Sequence, residues 1–162
     1  MIDTVSSTRA AAVPWRGKGQ AGYPARAPFA PSEAFPEFPR LALAEEPNPV
    51  FAMVREALVA LSLDEAHCGT DAWNPLGEFV APGATILVKP NWVLHRNEGG
   101  GGMEEMITHP SVIRAVLEYV FLARPKRVIL GDAPLQGCDF AALMATEGLN
   151  GVVGEFRGRG IP

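Results

Sequence analysis

The chain has 162 residues, 48% hydrophobic and 20% charged, ordinary proportions for a folded globular protein. Its formal charge is -4, and residues 41–162 hold nine basic against fifteen acidic side chains, which argues against nucleic acid as a partner, because that surface must be basic. Cys68 and Cys138 are its two cysteines, too few for a cysteine-built zinc or iron–sulfur centre; with no secretory leader pattern and no run near the roughly 18 apolar residues of a spanning helix, the expectation is a cytoplasmic protein with no membrane partner.

Residues 1–47 are dense in Pro, Ala and Gly, and "YPARAPFAPSEAFPEFPR" places a proline every few residues. Proline lacks a backbone donor and disfavours helix at the residue before it, so the segment reads as an extended or partly disordered arm, disordered above all over 1–20. Tyr23, Phe29, Phe35 and Phe38 indicate that part of it lies against the core, since pure linkers seldom carry such aromatics. The domain division that follows is 1–47 as arm and 48–162 as α/β unit.

Asn48 and Pro49 open a helix, with Asn48 as N-cap. Phe51, Val54, Leu58 and Leu61 recur at spacings of three and four, one apolar face through about Leu63. "DEAHCGTDAWNPLGEF" has no period and reads as a loop, with Trp73 packed over the domain edge. "ATILVKP" is continuously apolar, as expected of a strand buried on both faces. A second helix runs from Pro110 to Arg124, with a broad apolar face and an Arg114–Glu118 pair on its polar side. Pro125 ends it, and "RVILGDAP" supplies a second strand. "DFAALMATEGL" reads as a further helix capped by Asp139, and "GVVGEF" as the start of a third strand.

Strand, helix and strand form a βαβ unit with parallel pairing. The fold class is therefore α/β: a small parallel sheet with helices packed on it, an incomplete doubly wound domain preceded by a proline-rich arm. Two or three strands leave such a sheet unfinished. The expected consequence is a portion of a larger domain, with an open edge prone to self-association.

Open parallel sheets bind ligands outside the carboxyl ends of their strands. Lys89 and Asn91 follow the first strand, Asp132 and Gln136 follow the second, and the helix between them opens through Thr108, His109 and Ser111. Lys89 is a candidate cation for a carboxylate or phosphate, or a side chain snorkelling past a buried strand. Asp132 reads as a base, a ligand group or the acceptor of an Asx turn. Thr108 or Ser111 caps the helix whether or not it also binds ligand. His109 is expected to be exposed and to titrate near neutrality, and Asn91 serves the site or the loop packing. Catalytic candidates are thus Asp132 and His109; ligand-binding candidates are Lys89, Asn91, Thr108, Ser111 and Gln136.

Gly99–Gly102 match neither GxGxxG nor a Walker loop, and read as a hinge. The glycines lie within the long 90–109 connection, so that connection reads as a lid. A dinucleotide or Walker-type nucleotide site is therefore weakly supported, and the cofactor is left unknown. The histidines lack HExxH spacing, leaving a mixed His109–Asp132 metal site as an alternative. Cys138 beside Asp139 is a poor nucleophile, since the acid disfavours the thiolate.

The segments "YPARAPFAPSEAFPEFP", "WNPLGEFVAPGATILVKPNWV", "THPSVIRAVLEYV" and "RVILGDAPLQGCDF" resemble the family known as domain of unknown function 362, above all its bacterial members found near surface-polysaccharide genes. The resemblance covers about residues 21–145. It implies a larger α/β domain, of which this chain resembles the N-terminal part. Some relatives carry a ferredoxin-like cluster domain, for which this chain has no cysteines. The resemblance supports the position of the site and supplies no catalytic roles. The functional expectation is an enzyme or enzyme fragment that binds a small anionic ligand at the strand ends. The alternatives are a non-catalytic binding or scaffolding module and the His109–Asp132 metal site.

Overall fold

The computed structural model of the protein describes residues 10–13 and 22–160; the other positions of the expected disordered stretch lie outside the described residues. In chain order the elements are helix α1 (Pro49–Ala60), strand β1 (Thr85–Val88), helix α2 (Pro110–Leu122), strand β2 (Arg127–Leu130), the short helix α3 (Phe140–Ala145) and helix α4 (Leu149–Gly158). β1 and β2 pair in parallel, Thr85 opposite Arg127 and Val88 opposite Leu130. The βαβ unit and the α/β class are therefore as the sequence implies.

The sheet differs from expectation in one respect. Its strands are covered on one face only. Val88, Val128 and Leu130 pack on the core, whereas the opposite face leaves Leu87 64% and Ile129 39% exposed. An apolar run matches a doubly buried strand, but the described residues supply helices for just one side.

The segment expected to begin a third strand is a helix. In α4, Leu149, Val152 and Phe156 fall at helical spacing and are all buried, so the glycine-rich "GVVGEF" follows the 3.6-residue period despite its paired valines. Gly148 starts α4 with a φ of +81°, and a Cβ there would lie 2.6 Å from that of Ala27. Glycine meets both demands, left-handed backbone and close approach.

Asn48 occupies the N-cap position of α1 without capping it. Its Nδ2 donates instead to the carbonyls of Phe29 and Ala30, each at 2.9 Å, which ties the proline-rich segment to the helix. Residues 22–47 contain no helix or strand, and their aromatics are packed. Phe29 is buried in the core beneath α4; Phe35 stacks on Phe51 at 5.4 Å and Phe38 meets Tyr119 edge-on at 5.0 Å. Between these rings the buried carboxylate of Glu37 accepts from Arg55 Nε at 2.7 Å and from the Tyr119 hydroxyl at 2.9 Å. A buried charge so partnered holds the segment in one register.

Helix α2 is the centre of the molecule. Ile113 and Leu117 enter the core shared with α3 and α4, while Ala115 and Tyr119 enter a second cluster with Phe51 and Trp73. Arg114 and Glu118 were expected on a solvated face. They are buried, at 1% and 5% exposed, because apolar surroundings enclose α2 on nearly all sides. Their 2.7 Å ion pair is extended by Arg159, which reaches Glu118 at 2.9 Å and Glu155 at 2.8 Å.

Removing one partner of a buried pair strands the other charge. We expect Glu118→Gln to lower unfolding stability by about 3 kcal/mol, since Glu155, 3.8 Å from Arg114 and already paired with Arg159, compensates only in part. Arg159→Gln, at a half-exposed site, should cost about 1 kcal/mol or less. Urea denaturation of the two variants tests the contrast; equal losses would show that the Arg114–Glu118 pair is not the structural one.

Candidate functional site

The parallel pairing of β1 and β2 brings the two loops that follow them to one rim. They are stitched together there. Asp132 Oδ2 accepts from the Trp92 backbone N–H at 2.7 Å, Leu135 N–H donates to the Val93 carbonyl at 3.0 Å, and Asp139 N–H donates to His95 Nδ1 at 2.9 Å. The Trp92 ring, buried, meets Phe140 at the start of α3.

Asp132 is the hub of this rim. Its Oδ1 takes the Lys89 ammonium at 2.7 Å and its own following amide, Ala133 N–H, at 2.7 Å. With Trp92 this makes three donors on one carboxylate. The Lys89 contact above all, then the Trp92 amide, holds its pKa down to about 2. Such a carboxylate is a weak base near neutrality, and its contribution is fixed charge. Asp132 closes no Asx turn, because Pro134 two residues on has no N–H to donate; its two oxygens instead hold the rim together. Lys89 is different, with its side chain 62% exposed and only one of its three N–H donors engaged by Asp132.

Asn91 and Thr108 form a second pair, at the base of the 90–109 loop. Asn91 N–H donates to Thr108 Oγ1 at 2.9 Å, and Thr108 N–H to the Asn91 carbonyl at 2.8 Å. An antiparallel bridge joins Trp92 to Ile107 just inside it. Thr108 thus closes the loop and does not cap α2. The glycine run at the tip is braced by Asn97, whose Nδ2 donates to the Gly102 carbonyl at 3.0 Å and to Glu105 Oε2 at 2.7 Å.

His109 and Ser111 form the third pair, and both expectations about them need correction. His109 is the N-cap of α2: its Nδ1 accepts from Ser111 N–H at 3.2 Å and lies 2.8 Å from Ser111 Oγ. Far from exposed, it is 7% accessible, with Tyr23 stacked on its ring at 4.1 Å and Phe29 edge-on at 5.3 Å. Burial lowers its pKa below 6.5, opposed by Glu104. The Pro110 that follows has no N–H to cap, and Val112 and Ile113 donate to the His109 carbonyl. The first amides of α2 are thereby occupied by its own cap. Sequence did not pair Tyr23 with His109, because the two lie 86 positions apart and no local pattern links them.

Gln136 is exposed in a turn closed by Cys138 N–H and the Leu135 carbonyl, 3.0 Å apart. The structure therefore pairs Lys89 with Asp132, Asn91 with Thr108, and His109 with Ser111, joined through the loop backbone. Among the described residues no three His, Cys, Asp or Glu side chains gather as a metal-ligand group, and no helix is long and apolar enough to cross a membrane. Sequence reasoning missed His95 and the Trp92 amide. The signal was present in principle: residues following two parallel neighbouring strands must meet.

Residues 86–160 match the model of the family described as Domain of unknown function (DUF362). The match runs from β1 to the end of α4, so it contains Lys89, Asp132 and the whole stitched rim, and it leaves α1 and the preceding segment outside. No curated protein and no solved structure matches the chain.

Two titrations test the electrostatics of the rim. Because Lys89 is the largest cause of the depressed Asp132 value, Lys89→Met should raise the Asp132 pKa toward about 4 by carbon-detected NMR. For His109 the folded state favours the neutral ring, so its contribution to stability is full above pH 6.5 and falls as pH drops toward the lowered folded value. His109→Asn keeps a capping acceptor without a titrating ring, and its melting temperature should fall less than wild type between about pH 7 and 5. Parallel pH profiles would contradict the burial of a neutral imidazole.

Proposed function

We propose that this DUF362-like βαβ unit binds a small phosphate- or carboxylate-bearing ligand at the carboxyl ends of β1 and β2. The observation that carries the reading is Lys89: an ammonium 62% exposed at the end of a parallel strand, aimed by a carboxylate that is itself held by two backbone amides. Ligands of open parallel sheets sit in this position. Asp132 is the positioning group that keeps the cation at the rim, and Lys89 retains donors for the anion. Asn91 and Gln136, both exposed on the loops that follow the two strands, are the polar groups assigned to the ligand.

This is a binding role. Asp132 accepts three donors and His109 Nδ1 caps α2, so neither carries a proton to a ligand in this arrangement. The 90–109 loop serves as the cover: it is pinned to the β2 side through Trp92, Val93 and His95, while Gly99–Gly102 at its tip are exposed.

In the presence of inorganic phosphate or succinate, amide exchange over residues 96–106 should slow, by about threefold or more at saturation, and Lys89→Met should remove the effect while Lys89→Arg keeps it. Exchange unchanged by both anions, or protection that survives Lys89→Met, overturns the reading.

A scaffolding role is the second reading, favoured by the bare sheet face with Leu87 and Ile129 exposed. It predicts self-association that Leu87→Asp abolishes, measured by light scattering; a wild-type monomer at high concentration removes it.

A further inference from the structure

Strand β2 has a neighbour on one side only, because the sheet is ordered β1-β2 among the described residues. Gly131 N–H donates to the Val88 carbonyl at 3.2 Å, and Arg127 N–H to the Ala84 carbonyl at 3.5 Å. Alternate residues of a strand in a parallel ladder point their main-chain groups to opposite sides. The N–H and C=O of Val128 and Leu130 therefore face the outer edge, where no described strand pairs with them. The same two residues wall a cavity of about 390 Å³ between β2 and the helices, together with Phe140 and Met144 of α3 and Val153 and Phe156 of α4. Phe140 is left 46% exposed there. Arg127 and Arg157 also line the cavity, and neither forms an ion pair among the described residues.

We infer that this edge binds an extended segment of a partner polypeptide, which adds a third strand beside β2, with apolar side chains in the cavity and an acidic residue at the end near Arg127 and Arg157. Three features select this occupant. The edge groups of Val128 and Leu130 call for donors and acceptors at strand spacing, which an extended chain supplies and a small apolar molecule does not. Every second side chain of an added strand points to the helix-covered face, where the apolar cavity receives it. Two basic groups without a partner favour an acid over a base beside them.

A second folded copy is a poorer fit, since it would bring its own α4 to the same edge, whereas a single extended segment brings no helix. Strand β2 is four residues long, about 13 Å at strand rise, so a segment of about five to seven residues covers it. The site shares no residue with the anion site at Lys89 or with the bare face of Leu87 and Ile129, and each proposal can fail without the others.

The probe is a capped peptide of about seven residues, valine and threonine alternating between terminal aspartates, titrated into the full chain by NMR and calorimetry. It should shift the amides of Val128 and Leu130 and the methyls of Met144 and Val153, and slow the exchange of those two amides. Replacing the terminal aspartates with lysines should weaken binding about fivefold or more, a difference that shrinks at high salt. N-methylation of the peptide's backbone amides keeps its side chains but removes its donors, and should abolish binding. Val128→Pro removes an outward N–H and leaves the β1 ladder in place, so it should weaken binding as well. Should Val128→Pro fail to fold, the N-methylated peptide tests the same hydrogen bonds on the wild-type chain. No binding, equal affinity for the aspartate and lysine peptides, binding that survives N-methylation, or shifts centred on Leu87 each overturns the proposal. So does a dimer of the chain alone that Val128→Pro dissolves, which would make a second copy the occupant of this edge.

Discussion

The burial of α2 is the constraint on which the rest depends. A crossover helix between two parallel strands must pack on the sheet, and here it is also enclosed by α1 on one side and α4 on another. Nine of its thirteen residues are buried. A helix so surrounded has no face left for charge, so Arg114 and Glu118 have to satisfy each other inside. Glu118 then recruits Arg159 from the end of α4, and Arg114 Cζ lies 5.1 Å above the Phe156 ring. The ion pair is less a source of stability than a lock: it fixes the register of α4 against α2, because any slip would leave buried charges unmatched.

The N-terminal segment follows from the same constraint. It has no ladder of its own hydrogen bonds, yet its groups are needed to finish the core. Phe29 fills the space beneath α4, Glu37 joins Arg55 to Tyr119, and Asn48 Nδ2 satisfies two carbonyls that no regular structure would reach. Proline-rich chain suits this duty, since it has few donors to satisfy and little conformational entropy to lose.

At the other end of the sheet, geometry makes a rim. Parallel strands deliver their following residues to the same edge, and the Asp132 carboxylate converts that proximity into attachment by accepting from Lys89, Trp92 and Ala133. The long loop is thereby pinned at its start, closed at its base by Asn91 and Thr108, and braced at its glycine tip by Asn97. A carboxylate with so many donors anchors well and exchanges protons poorly. The rim therefore holds the Lys89 ammonium against a fixed carboxylate.

Local pattern alone determined the βαβ unit, the starts of α1 and α3, and the positions of Lys89 and Asp132 past the strand ends. Each depends on residues close in sequence: periodicity, proline, a capping aspartate whose Oδ1 does accept from Ala142 N–H. Tertiary structure decided whatever depends on what lies across an interface. "GVVGEF" became a helix because Leu149, Val152 and Phe156 had a core to enter. His109 became buried because Tyr23 and Phe29 cover it. The sheet kept one bare face because apolar residues announce a capacity to be covered, and only the packed chain determines whether anything covers them. Arg114 and Glu118 show the limit most sharply: their i, i+4 spacing is the same on a wet surface and in a dry core, and burial is a property of the neighbours.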